Sequence, residues 1–177
     1  MYTYVILNGL SNQALKGFDF ADNAVFGCNY AYRDWPLTHL VCADARVVEE
    51  VNNETKQFMN RYTKLPRYRT WGWQTQSWPG NDSGSYAIDL ALNLYNNKVI
   101  VAGADGIFGF GHQTSYTYSW RPAGPRPKVY DNFRVSFYKA VVGRTDQILF
   151  LTPRSIESDL PTQTYKEFLD EYKTNVY

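Results

Sequence analysis

The sequence predicts an α/β fold: a single domain with a mostly parallel central sheet and helices on both faces. Three observations predict it. First, Met1–Leu7, Ala24–Cys28, Thr38–Cys42, Val99–Ala102 and Gln147–Leu151 are short apolar runs bounded by turn-forming residues, as strands buried on both faces are. Second, stretches with helical spacing lie between and after them. Third, a polar amide or carboxylate (Asn8, Asn29, Asp44, Asp105) stands at or just past the end of four of the runs. Parallel strands would bring these residues to one sheet edge, the edge where ligands bind in open α/β sheets. A chain of 177 residues suits one such domain, so residues 1–177 are read as one unit.

The first strand runs directly into Asn8-Gly9-Leu10-Ser11-Asn12, a turn with helix-capping residues. It lacks the three-glycine dinucleotide fingerprint. After the third strand, Arg46–Tyr62 has Val47, Val51, Phe58 and Tyr62 at inward helical positions. Arg67–Trp71 reads as a short strand and Gln74–Gly80 as a polar loop. Next comes the best-patterned helix. Asn81, Asp82 or Ser83 can cap it, Ala87, Leu90, Ala91 and Leu94 form its apolar face, and Asn96-Asn97 closes it. Its Ser83-Gly84 start offers backbone N–H groups to an anion. The following strand ends in Gly103-Ala104-Asp105.

Residues 106–128 form a long connection rich in Gly and Pro that carries His112, Tyr116, Tyr118 and Arg121. Connections of this length are usually functional, and its aromatics and bases suggest an acceptor-binding lid. Val129–Val141 reads as a helix with Tyr130, Phe133, Phe137 and Val141 on one face. Thr162–Lys173 reads as a final helix capped by Thr162 or Thr164.

A net charge of +1 gives no whole-molecule argument for a polyanion partner. Its distribution does. Lys56–Asn81 holds Lys56, Arg61, Lys64, Arg67 and Arg69 and no acid, and Gly106–Tyr130 holds Arg121, Arg126 and Lys128 and no acid. Trp71, Trp73, Trp78 and Trp120 are interleaved with these bases, as phosphate contacts and stacking faces for a nucleic acid would be. Cys28 and Cys42 read as small core residues of a protein in a reducing compartment. No membrane span or signal pattern is seen, so the expected location is cytoplasmic, the host's cytoplasm for a viral protein.

The order of these features resembles the bacterial sialyltransferases that use CMP-sialic acid without a metal, and a related Rossmann-like, pterin-pyrophosphokinase-like group. Asn8-Gly9 with Ser11 resembles the first loop of that family, Cys28-Asn29 its Cys-Asn after the second strand, Ser83-Gly84 its helix start, and Gly103-Ala104-Asp105 its Gly-x-Asp. Asp44 falls where the family has a polar residue, and residues 131–153 resemble its closing helix and strand. The resemblance spans about residues 2–153 and rests on order and spacing. Leu10 stands where the family has Pro, Ile107 where the sialyltransferases have Tyr, and no His precedes the closing helix.

The resemblance implies that Asn8, Gly9, Ser11, Asn29, Asp44, Ser83, Gly84, Gly103 and Asp105 hold a donor nucleotide. The expected activity is a metal-independent, inverting glycosyl transfer from a nucleotide-sugar to a hydroxyl acceptor. The catalytic base is expected among His112, Asp105 and Asp131, which lie in or beside the predicted site. Tyr116, Tyr118, Arg121, Arg67 and Arg69 are expected to contact acceptor or phosphate. The acceptor is a modified base in viral DNA, a glycan or a small molecule. No metal or other cofactor, no membrane partner and an open oligomeric state complete this expectation. Two other readings stand beside it: a pyrophosphokinase-like phosphotransferase with Mg²⁺ on Asp44 and Asp105, and a non-catalytic nucleotide-binding module.

Overall fold

A computed structural model describes residues 1–54, 60–78, 80, 82–111 and 127–175, with backbone only for 127–133 and 174–175. Its centre is one sheet of 8 strands: β1 (Tyr2–Ile6), β2 (Ala24–Cys28), β3 (His39–Val41), β4 (Asn60–Thr63), β5 (Gln74–Thr75), β6 (Lys98–Ala102), β7 (Ile148–Thr152) and β8 (Thr162–Thr164). The order is β5-β4-β3-β2-β1-β6-β7-β8, and every neighbouring pair is parallel. The chain steps outward from β1 to β5, then returns to lay β6 on the other side of β1. This is a doubly wound, Rossmann-like sheet, with its switch point between β1 and β6.

Among the described residues four α-helices cover the sheet: α1 (Ala45–Glu54), α2 (Ser83–Leu94), α3 (Pro127–Val141) and α4 (Tyr165–Asn175). Alternation along the strands explains how both faces are buried. Tyr4, Ile6, Leu40 and Ile100 point to a core shared with Val47, Val48 and Val51 of α1 and Tyr165 and Phe168 of α4. Val5, Leu7, Phe26, Val41 and Val101 point the other way, to Ala87, Ile88, Leu90 and Ala91 of α2 and Phe137 and Val141 of α3. The helix α2 lies between sheet and α3 and is buried almost all round, which accounts for its apolar sequence.

Several elements differ from the sequence reading. The helix after β3 is described from Ala45 to Glu54, and Tyr62 is buried from a strand, β4, paired with β3. Helical and strand spacings coincide for Tyr62, so periodicity alone could not separate them. Arg67–Trp71 is part of a 3₁₀ helix (Pro66–Trp71), started by Pro at its first turn and ended by Gly72 at φ +79°. Gln74–Thr75 is a two-residue edge strand inside the expected loop. Leu94 is exposed because it lies at the helix end, past the core. At the C-terminus Thr162–Thr164 pairs with β7, and only then does α4 begin. Thr164 and Glu167 exchange bonds there as a capping box. Phe58, Trp120, Arg126 and the side chains of Lys128, Tyr130 and Phe133 lie outside the described residues.

His39 is buried, stacked on Phe26 (centroids 4.2 Å) with Tyr62 beyond (5.9 Å), and its Nδ1 lies 2.7 Å from Thr38 Oγ1. Burial lowers its pKa from the usual 6.5. The unfolded chain therefore binds a proton at higher pH than the folded one. The neutral imidazole's contribution is complete above about pH 6.5 and is lost as pH falls toward the lowered value. Stability measured by urea unfolding should fall on acidification through this window, and His39→Gln should flatten that slope. An unchanged slope would remove His39 as its source.

Candidate functional site

The polar residues at the carboxyl ends of β1, β2 and β6 do converge, and they separate into two groups; Asp44, after β3, joins neither. The first is a latch at the switch point. Gly9 N–H donates to Gly103 O (3.0 Å), so the loops after β1 and β6 meet backbone to backbone. A Cβ on Gly9 would lie 2.4 Å from Gly103 O, and one on Gly103 would lie 2.5 Å from Leu7 O. Gly103 also has φ +77°, a conformation in which side chains are strained. Asp105 is buried and Oδ2 accepts Ser11 N–H (2.9 Å), while Oδ1 accepts the Ser11 hydroxyl. Tyr165 OH lies 2.9 Å from Ser11 Oγ and accepts Gly103 N–H at 2.9 Å. The Ser11 proton is committed to Asp105, so Tyr165 is the donor to Ser11. Burial pushes the Tyr165 phenol up to about 12, which keeps that proton in place. Asn12, fully buried, donates its side chain to Leu7 O (2.8 Å) and fixes the same turn.

The second group lies under the first turn of α2. Ser83 Oγ donates to Asn29 Oδ1 (2.9 Å) and accepts Ala43 N–H (2.9 Å), tying the ends of β2 and β3 to the helix. Asn29 sits at φ +56°, a left-handed conformation that Asn tolerates better than most residues. Cys28 Sγ donates to Asn8 Oδ1 at 3.6 Å. Of the possible caps, Asp82 caps α2, with Oδ1 accepting Ser85 N–H at 2.6 Å. The chain's own carboxylate thus occupies the helix start that the sequence offered to an anion. Burial raises the Asp82 carboxyl above its ordinary value, against donors from Ser85, Ser136 and Gly84. Gly84 packs against Leu7, since a Cβ there would lie 3.2 Å from Leu7 Cδ2.

The other expected residues are placed elsewhere. Asp44 Oδ1 accepts Arg46 N–H (2.9 Å) at the start of α1. Arg67 donates to Tyr68 OH (2.7 Å) and lies 3.7 Å from Glu49 on α1, and Arg69 bonds Thr75. Trp73 and Trp78 are buried, so only Trp71 of the described tryptophans offers an exposed stacking face. His112, Tyr116, Tyr118 and Arg121, and the side chain of Asp131, lie outside the described residues. Cys28 and Cys42 are buried free thiols. Burial pushes Cys28 up to about 12 and Cys42 well above its ordinary value, so neither is a thiolate nucleophile.

Tyr165 was not legible as a site residue. It is the first residue of α4, and its role arises from where that helix docks rather than from any local pattern. Beside the latch an open groove of about 590 Å³ runs between Leu10, Ser11 and Ala14 on one wall and Tyr165 and Leu169 on the other. Its volume lies in the range of small-molecule sites.

The fold and this edge define the class: a Rossmann-like α/β protein with polar loops gathered at the carboxyl ends of its central strands. No protein-family model, curated protein or solved structure matches the chain. No helix among the described residues is long and apolar enough to cross a membrane.

Proposed function

We propose that the chain binds a nucleotide-sugar at the carboxyl edge of β1, β2 and β3 and transfers its sugar to a hydroxyl acceptor. One observation carries this reading: Asn8, Asn29, Asp82 and Ser83 come together under the first turn of α2, beside the switch point. Neutral amides and hydroxyls with one carboxylate suit a ribose and a base. The resemblance in the order of Asn8-Gly9, Cys28-Asn29, Ser83-Gly84 and Gly103-Ala104-Asp105 supports the same choice.

In such a transfer the acceptor oxygen attacks the anomeric carbon and the bond from that carbon to the phosphate oxygen breaks. The phosphate leaves with the electron pair, and a base takes the acceptor proton. Asp105 already accepts two bonds from Ser11 and acts here by holding the first loop. The base in this proposal is His112, seven residues beyond Asp105. The groove beside Ser11 and Tyr165 is the surface proposed for the acceptor.

The test is a thermal-shift panel with CMP, UDP, ADP, GDP and their sugar conjugates, with and without Mg²⁺, followed by ³¹P NMR of the conjugate that binds. A ligand at 100 times its Kd adds about 2.7 kcal/mol, roughly 5–11 °C for a chain of this size. A shift with one conjugate, independent of Mg²⁺, and release of its free nucleotide on adding acceptor are expected. A shift seen only with a triphosphate and Mg²⁺ would replace this reading by a phosphotransferase. Binding without release would replace it by a nucleotide-binding module.

A further inference from the structure

The groove beside the latch has apolar walls, a polar base and a charged rim. Leu10, Ala14 and Pro153 line it together with Leu169 of α4. Leu10, a large apolar side chain, stays 43% exposed there. Such walls suit an alkyl or aryl body, and a volume of about 590 Å³ suits a small molecule. Ser11 and Tyr165 form the base, and their protons are already committed. Ser11 Oγ donates to Asp105, while Tyr165 OH donates to Ser11 and accepts Gly103 N–H. A hydroxyl has one donor and two acceptor sites, so Ser11 Oγ keeps one acceptor site and no donor. The base therefore takes an O–H or N–H of a ligand and turns away a carboxylate. The rim sets the other end. Tyr165, Leu169 and Lys173 recur at four-residue spacing, so one face of α4 runs along the groove. Lys166 and Asp170 on that wall neutralise each other at 2.9 Å. Lys173 is exposed, and among the described residues no hydrogen bond or ion pair engages it. It lies eight residues past Tyr165, about 12 Å along the helix axis.

We propose, resting on the transfer reading above, that the acceptor held in this groove is an amphipathic hydroxy acid. Its hydroxyl donates to Ser11 at the base, and its alkyl or aryl body lies between Leu10 and Leu169. Its carboxylate reaches Lys173, about 12 Å from the base. The hydroxyl end is then the end beside the donor, because Ser11 is fastened at the switch point. A carboxylate turned the other way would meet acceptors alone, with the buried Asp105 behind them. The orientation is thus fixed from both ends. A glycan, hydroxylated throughout, would leave the apolar walls unmatched.

The test is titration calorimetry of wild type, Lys173→Gln and Ala14→Trp with ω-hydroxydecanoate, ω-hydroxydecanamide, decanoate and ω-hydroxybutanoate. Lys173 and Ala14 are exposed, so both variants should fold, and circular dichroism checks that they do. Wild type is expected to bind ω-hydroxydecanoate about threefold or more tighter than its amide and than decanoate. The short ω-hydroxybutanoate, unable to span from Ser11 to Lys173, should bind more weakly than all three. Lys173→Gln should weaken the acid by about threefold and leave the amide unchanged. Ala14→Trp fills the groove and should abolish binding of both. Equal affinity for acid and amide, an equal loss of both in Lys173→Gln, or undiminished binding in Ala14→Trp would overturn the proposal. A nucleotide that binds while none of these probes does would overturn it too, and leave the transfer reading standing. Selective binding of the acid by a chain that binds no nucleotide would support the ligand class and overturn the transfer reading instead.

Discussion

Gly103→Ala is expected to destabilise the protein by about 4 kcal/mol, lowering its melting temperature by roughly 8–16 °C. Two costs add. The residue has φ +77°, which costs a side chain about 1–2 kcal/mol. The new Cβ would also lie 2.5 Å from Leu7 O, a backbone atom at the end of β1 that cannot swing aside. Gly17 separates the two costs. It has φ +81° with nothing within 4 Å of its Cβ position, so Gly17→Ala carries the strain alone, about 1–2 kcal/mol. Thermal unfolding of both variants measures the difference. Equal losses would mean that the loops after β1 and β6 are not packed as tightly as described. Because Asn8 and Gly9 are adjacent, Gly103→Ala should also displace the Asn8 side of the site and weaken ligand binding.

Asp105→Asn is expected to cost about 2–3 kcal/mol and to abolish transfer. The carboxylate accepts both the Ser11 N–H and the Ser11 hydroxyl, and an amide offers one acceptor where two are needed. Tyr165→Phe removes the hydroxyl that accepts Gly103 N–H and bonds Ser11 Oγ, leaving a buried N–H unpaired, about 1–3 kcal/mol. Because all three side chains share one network, the double variant should lose less than the sum of the singles. Urea unfolding of the four proteins gives the coupling. Strict additivity would show the network is not one unit, and full activity in Asp105→Asn would remove Asp105 from the site.

Much of this was written in the sequence where a local pattern and the tertiary outcome agree. The strand Ala24–Cys28 was legible to the residue because its apolar run is bounded on both sides by polar turn residues. Asn8, Asn29 and Asp105 were legible as edge residues because each follows such a run. Legibility failed where one spacing fits two structures. Val47, Val51, Phe58 and Tyr62 keep helical spacing, yet Tyr62 belongs to β4. Thr162–Thr164 reads as a cap region and is also an edge strand. Trp73 and Trp78 stand among bases in the chain, but nothing local shows that they fold inward. Within the site, the sequence showed which residues reach the edge but not what each holds. That Asp105 fastens Ser11, and that Tyr165 completes the latch from the other end of the chain, depends on contacts across 94 and 154 residues.

The most direct test of the central claim is a ¹H–¹⁵N NMR titration of the wild-type chain with the nucleotide that stabilises it most. The account predicts that the largest shifts fall on the amides of Asn8, Asn29, Ser83 and Gly84, under the first turn of α2. Shifts confined to other surfaces, such as the groove beside α4, or an unchanged spectrum at saturating nucleotide, would contradict it.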